Sequence, residues 1–568
     1  MSSQTTYANL DELRNEFEDL ETAEERIQTL IELGQSLPEF PAEFGTEDYR
    51  VVGCQSMVWI VPRWDGEHFH FMATSDAPMV RGLVAVLMSA YSGKTPAQIL
   101  AVPIDDWLRE LHLKSFLSPL RSNGLHSMIR TIRRYAESKC SNAIVIDRKQ
   151  SVAPSDLGPL LGRIDQIRAD FPILGRTNAV GIPVAYLDNA ASSQRPNSVI
   201  EAMSALYGEH YANVHRSGHE WAAKTTEKLE ASRQSVQRFM NAAKSEEVIM
   251  TAGATASINL IANAWGNANL QRGDEILLTQ MEHHSNIVPW HQLCERVGCS
   301  IRWVPIRNDF TIDLDRFASL FTSKTKLVSF TAVSNVLGTI NPVKEMVRLA
   351  HRHAAVAVVD AAQATPHGSI DVREWDAEFV VFSGHKMLAS SGVGVCYGKQ
   401  AILEAMPAWQ GGGSMIKAVT MDGFTLADLP HKFEAGTPPI AEIVSLKPAI
   451  EYLESIGNER IIEYERLLVG KASEGLSKID GIKIYSPALE IKSGVLSFSV
   501  DGFHGEEIGR ILDSRGIAIR VGHHCAMPLH SVLGCSVSCR ASFYLYNTLA
   551  EVDRFVAAVS DAVRLLRS

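Results

Sequence analysis

What the 568-residue chain lacks narrows its class before any motif is read. No apolar run approaches the roughly 18 residues of a membrane-spanning helix, so no membrane span is expected. The opening stretch, MSSQTTYANLDELRNEFEDL, carries acidic residues where a secretory signal has basic and then apolar ones; the expected location is the cytoplasm. Cysteine is scarce, with eight residues (54, 140, 294, 299, 396, 525, 535 and 539). So few in so long a chain do not make a disulfide scaffold, and the question becomes which thiols react. Cations are outnumbered, 54 Lys and Arg against 65 Asp and Glu. That balance argues against a nucleic-acid partner, which needs clustered Lys and Arg. The short basic stretch RTIRR at 130–134 reads as the solvated face of a helix. There is no internal repeat and no low-complexity tract. What remains is 46% hydrophobic and 21% charged, the profile of a globular chain, and its length suggests roughly three to five folding units.

Two bodies and a joint emerge along the chain. Residues from about 10 to 34 place Leu10, Leu13, Phe17, Leu20, Ile27, Leu30 and Ile31 at helical spacing, and Leu37–Pro38 breaks the pattern. Two strand-like runs follow, VVGCQSMVWIVPRW (51–64) and HFHFMAT (68–74), and then helices from about 77 to 138. This is a small α+β unit over 1–140. Residues 141–163, with the Ser-, Pro- and Gly-rich QSVAPSDLGPL, read as a linker. From 164 to 568, short β-branched runs alternate with helical stretches: EEVIMT, DEILLT, TKLVSFTAV, VAVVD and EFVVFSG. Such alternation predicts a mainly parallel sheet with crossover helices. Ligands of these sheets bind beyond the carboxyl ends of the strands, where TAGAT, TQMEHHSN, SNVLGT, DAAQ and SGHK gather polar groups.

Several of those polar groups have a chemical reading beside a plain structural one. Asp360 closes an apolar strand with Gln363 three residues on. A carboxylate there could hold a cationic ring nitrogen, or simply cap a helix. Lys386 in SGHK could form a Schiff base and, with its pKa lowered, act as a base; it could equally be a surface lysine after a strand. RVGHHCAMP sets Cys525 beside His523 and His524, with Arg520 near, and cationic neighbours favour the thiolate. Adjacent His-His-Cys residues rarely converge on one metal, and Cys535 and Cys539 have no companion His, so no metal site is expected. Arg540 offers a planar fork for a carboxylate or for an ordinary salt bridge. Cys54, in GCQS before an apolar strand, reads by itself more readily as a packed core thiol than as a reactive one.

Taken together, FPIL…AYLDNAASSQRP, YANVHRSGH, MEHHSNIVPW, VSNVLGT, VVDAAQA, FSGHK, WQGGGSMI, KFEAGTP, RVGHHCAMPL and CRASFYLYNT resemble the group II cysteine desulfurases of the SufS type. These are pyridoxal-phosphate enzymes of fold type I, aminotransferase class V-like. The segments run in order through 164–568. Residues 1–140 resemble SufE, the sulfur acceptor that partners SufS, through IELGQSLPE, GCQSMVWIVPR, TSDAPMVRGLVAVL and SPLRSNGLHSMIR. The resemblance implies an α+β SufE-like domain followed by an α/β enzyme, with a large parallel-sheet domain and a small C-terminal α/β domain.

The same resemblance implies roles. Lys386 would hold pyridoxal 5'-phosphate and serve as the base, Asp360 would pair with its ring nitrogen, Gln363 and Asn335 with the ring oxygen, and His283 would stack on the ring. Thr255, Ser383 and His385 would bind its phosphate, with Thr437 supplied by the other subunit of a homodimer. Arg540, with Arg520 close by, would clamp the carboxylate of L-cysteine. Cys525 would take the sulfur as a persulfide, leaving alanine, and Cys54 would collect it for iron–sulfur scaffold proteins resembling SufBCD. The chain departs from the family pattern at Ala254 in Gly253-Ala254-Thr255, at Met387-Leu388-Ala389-Ser390-Ser391-Gly392 and at Pro439. These changes touch cofactor affinity and loop packing and spare the groups assigned to bond-making. Selenocysteine lyase activity at the same site is the alternative. A non-catalytic scaffold would have no need of Lys386 or Cys525.

Overall fold

The computed structural model of the chain describes residues 13, 14, 17, 20, 22–38, 40–46, 49–51, 56–104, 107, 108, 111, 125, 128, 129, 131–133, 135, 136, 161–215, 218–368 and 370–567. It divides into two compact units, Met1–Lys149 and Gln150–Ser568. The expected linker residues up to 160 lie outside the described set, as do Cys54 and the basic residues Arg130 and Arg134.

In the first unit, helix α1 (Ala23–Gln35) starts at Thr22, whose side chain and that of Glu25 satisfy each other's backbone N–H groups. Strands β1 (Val58–Trp64) and β2 (Phe69–Ser75) pair antiparallel, with Val61 opposite Met72. Helix α2 (Pro78–Tyr91) opens on a proline, which sacrifices no helical hydrogen bond there. It packs on α1 so closely that a Cβ on Gly82 would sit 2.0 Å from the Leu30 carbonyl oxygen. Only glycine permits that crossing. A core built on Leu30, Ile60, Phe71 and Leu87 fills the unit.

The second unit is built on a seven-stranded sheet. Its strands are β3 (Val248–Thr251), β4 (Glu275–Thr279), β5 (Ser300–Val304), β6 (Thr325–Thr331), β7 (Val356–Asp360), β8 (Phe379–Ser383) and β9 (Gly394–Gly398). Their order is β3-β9-β8-β7-β6-β4-β5, with β4 to β8 parallel to one another and β9 antiparallel to both of its neighbours, β3 and β8. Five strands coincide with the apolar runs read from the sequence. β5 and β9 are the additions, β5 at the sheet edge beside β4 and β9 inserted between β3 and β8. Residues of β7, β8 and β9 are buried almost throughout, as strands covered by helices on both faces must be.

A second, antiparallel sheet has the order β10-β11-β13-β12, formed by β10 (Ile482–Tyr485), β11 (Val495–Val500), β12 (Arg520–Gly522) and β13 (Ser538–Ser542). Gly394 stands opposite both Thr251 and Ser383, so β3 and β8 end on the same edge of the large sheet. A Cβ on Gly394 would meet Gly253 Cα at 2.4 Å, and this contact fixes the turn into helix α3 (Ala254–Ile261) against that edge.

Candidate active site

Asp360 is the last residue of β7, buried, and paired in register with Thr331 of β6 and Val381 of β8. Its Oδ1 accepts from the Ala362 N–H at 2.9 Å. Burial raises its carboxyl above the usual range, and the Lys386 cation pulls it back. Lys386 ends the short turn that follows β8. Part of its side chain is accessible, yet burial is the largest cause lowering its amine to about 8; Asp360 and Cys525 oppose that shift, and the Arg540 and Arg520 cations reinforce it. Five groups called from distant parts of the sequence therefore act on one another's charge.

A chain of contacts runs across the strand ends. His283 Nδ1 accepts from the Ser285 N–H at 3.0 Å, and Ser285 Oγ lies 2.6 Å from Thr255 Oγ1 in the first turn of α3. The neighbouring Ala254 N–H donates to Ser383 Oγ at 2.8 Å. His385 lies beside Ser192, 3.4 Å from Nδ1 to Oγ. Burial first, and the Lys386 cation next, lower His283 to about 3 and His385 to about 4, so both rings are neutral near pH 7. Gln363 is buried and donates to the Ala190 carbonyl at 2.7 Å. Thr437 stands apart: it is exposed on the loop before Ile440 and makes no hydrogen bond to this cluster among the described residues.

The thiol sits on a constrained loop. His524 and Cys525 adopt left-handed backbone conformations, φ 50° and 56°, which cost non-glycine residues about 1–3 kcal/mol each. Asn335 Nδ2 donates to the His524 carbonyl at 2.8 Å, and the His284 N–H donates to the Cys525 carbonyl at 2.7 Å. Helix α4 (Met527–Leu533) follows, and its first N–H donates to His284 Nε2 at 3.0 Å. His524 is buried and held at about 2 by that burial and by the Arg540 cation, with Nε2 3.0 Å from Ser538 Oγ. Cys525 is half-buried and unbonded to any other cysteine. Cys539 faces the Gly505 carbonyl instead, at 3.5 Å.

The cofactor implied by the sequence can be judged on these residues. Gln363 Oε1 and Arg540 Nε are buried without a partner, and such groups cost stability unless a ligand satisfies them. Thr255 and Ser383 flank the N-terminus of α3, where partial positive charge favours a phosphate. Gly253, at φ 147°, leaves space there, since a Cβ would stand 3.3 Å from Ser383 Oγ. The residues fit a phosphorylated, ring-bearing aldehyde.

Three contributors lie in motifs the sequence displays but take no role from it. Ser285 joins His283 to Thr255. Glu282 is fully buried and raised by burial to about 8. It accepts from Thr279 Oγ1, from Asn286 Nδ2 at 2.6 Å and from the Thr331 N–H at 3.1 Å, bracing the turn that carries His283. Asp188 meets Arg540, 352 residues away in sequence. Only the fold places these groups.

Comparison with known proteins agrees with this geometry. Residues 185–555 match the aminotransferase class-V family, and residues 11–136 match the SufE Fe-S metabolism associated domain. A cysteine desulfurase of Salmonella agona is 47% identical over 404 residues, 71% of this chain and 99% of the relative. The crystal structure of the cysteine desulfurase CsdA from Escherichia coli superposes with a TM-score of 0.66 at 36% identity, covering 71% of this chain and 98% of that one. The apo cysteine desulfurase of Thermococcus onnurineus gives 0.67 at 36% identity, covering 70% and 98%.

Proposed function

Because this chain belongs to the cysteine desulfurases of the aminotransferase class-V family, carries a SufE domain ahead of the enzyme and uses pyridoxal phosphate, we propose that it draws sulfur from L-cysteine onto Cys525 and passes it to its own Cys54 for iron–sulfur cluster assembly. The observation that carries this reading is the cluster around Lys386: Asn335 ties Arg540 to the Cys525 loop, and Asp360, Arg540, Cys525 and Arg520 lie close enough to shift the lysine's charge. It joins a base, a ring-nitrogen partner, a carboxylate binder and a thiol in one cleft.

When bound, pyridoxal phosphate supplies an electron sink for the substrate α-carbon. Asp360, buried at the end of β7, would hold the ring nitrogen in its protonated form. Gln363 and Asn335 would hold its ring oxygen, and neutral His283 would pack against the ring. Lys386 Nζ, lowered to about 8 mainly by burial, is free to accept the α-proton. Arg540 binds the substrate carboxylate. Cys525 Sγ attacks the substrate sulfur; the new S–S bond forms as the substrate Cβ–S bond breaks, and that electron pair returns to carbon as alanine. One thiol and one cysteine thus give one persulfide and one alanine, with no outside oxidant. The assembly is a homodimer in which Thr437 approaches the partner's cleft, consistent with its exposure. Selenocysteine would fit the same cleft, and comparing turnover of the two amino acids separates the activities.

Mass spectrometry of tryptic peptides after a pulse of L-cysteine tests the order of transfer. Cys525→Ser should leave no persulfide on either cysteine. Cys54→Ser should leave it on Cys525 and slow multiple turnover. Sulfane sulfur on Cys54 in the Cys525→Ser protein would reverse the assignment.

A further inference from the structure

Two cations face each other in the small sheet. The register of β12 and β13 sets Arg520 directly opposite Arg540, an arrangement in which like charges repel. Arg540 is only 2% exposed, so water does little to screen it. The group that meets both is Asp188: its Oδ1 lies 3.2 Å from Arg540 Nη2, and its Oδ2 lies 3.7 Å from Arg520 Nη1. Asp188 is brought there by the backbone, which bridges in parallel to Ser542, two residues beyond Arg540. Asn189 Nδ2 and the Ala190 N–H then tie the segment to the Ser542 carbonyl and hydroxyl at 2.6 and 2.9 Å.

The guanidinium is gripped at its other end as well. Arg540 Nη1 donates to the Asn335 carbonyl at 2.9 Å, and Asn335 also ties down the loop of Cys525 through His524. Nε remains buried with no partner. With one hydrogen bond at each terminal nitrogen, the buried Nε–H is left without a partner and marks the edge of the fork open to a ligand. Two guanidiniums and one carboxylate also leave a net charge of +1, which one substrate carboxylate neutralises.

We propose that Asp188 is a positioning residue for the reaction: with the Asn335 carbonyl it aims the Nε edge of Arg540 at the α-carboxylate of the amino-acid substrate and offsets one of the two cations there. This rests on the desulfurase reading of the cleft. A purely structural Asp188 would only hold the sheet together, and its loss would lower stability without selecting for the substrate carboxylate.

Asp188→Ala and Asp188→Asn, in the full-length holoenzyme, separate the two roles. The readouts are KM and kcat for L-cysteine, the calorimetric Kd of L-alanine, and the thermal midpoint. Alanine removes the acceptor, so KM and the L-alanine Kd should rise about tenfold or more, the scale of a charge-assisted hydrogen bond, while kcat changes much less. Asparagine keeps an acceptor for Nη2 without the charge, so Arg540 stays aimed and neither constant should rise. Unchanged constants in Asp188→Ala, or an equal rise in both variants, would overturn the proposal. If Asp188→Ala does not fold, a tenfold rise in Asp188→Asn alone overturns it. Should the wild type make no alanine from L-cysteine, the desulfurase reading fails, and L-alanine binding still judges Asp188 by itself.

Discussion

At the scale of single residues, Lys386 concentrates the chemistry. Burial is the largest cause of its lowered amine, with Arg540 and Arg520 adding to it. The base form is the neutral amine, so kcat at saturating L-cysteine should climb as pH rises through about 8 and level off above it. Lys386→Ala should lose activity by several orders of magnitude at every pH. A rate that falls with pH across that window would assign the proton to another group. Lys386, Asp360 and Cys525 were legible because each sits in a short motif whose residues remain neighbours after folding. Asp188, Ser285 and Glu282 were not, because their partners come from other elements and no local spacing records the meeting.

At the scale of elements, the small sheet and its connections show how the fold spends stability. Lys492 follows the turn before β11 and bridges to Thr339 of the large-sheet loop. It is 1% exposed, and its amine donates to Ser486 Oγ at 2.5 Å. Burial lowers it from 10.5 to about 7. An unfolded lysine stays charged up to its ordinary value, so the folded state loses stability as pH falls from 10.5 toward 7, and the loss is constant below that. Lys492→Met should therefore raise Tm by at least about 2–4 °C near and below pH 7, with the gain shrinking toward alkaline pH. Calorimetry across pH checks it; no gain at about pH 6 would mean the buried amine is already compensated. Elements also marked a limit of sequence reading. Alternating strands and helices predict parallel neighbours, and β9, reached from β8 without a crossover helix, reverses direction. The left-handed pair at His524 and Cys525 was equally invisible, since neither residue type demands that conformation.

For the whole molecule, the consequential feature is the fusion. The expected joint of about 20 residues, treated as a flexible chain, spans about 25 Å on average and at most about 70–80 Å. A tether of that length gives an effective acceptor concentration on the order of millimolar. Activity per site should therefore stay constant on dilution of the intact chain, and become concentration-dependent once the joint is cut. Full specific activity of the cut protein on strong dilution would show that tethering contributes nothing.

The sequence by itself determined the two-body plan and the parallel-sheet class and supplied the proposed reacting groups, because hydrophobic periodicity and contiguous motifs are local properties of a chain. The tertiary structure alone decided which groups meet. It set Arg520 against Arg540, brought Asp188 between them, and left Gln363 Oε1 and Arg540 Nε without partners. Those placements depend on strand order and register, and on the cost of burying polar groups unpaired; these are properties of packing between segments far apart in the chain.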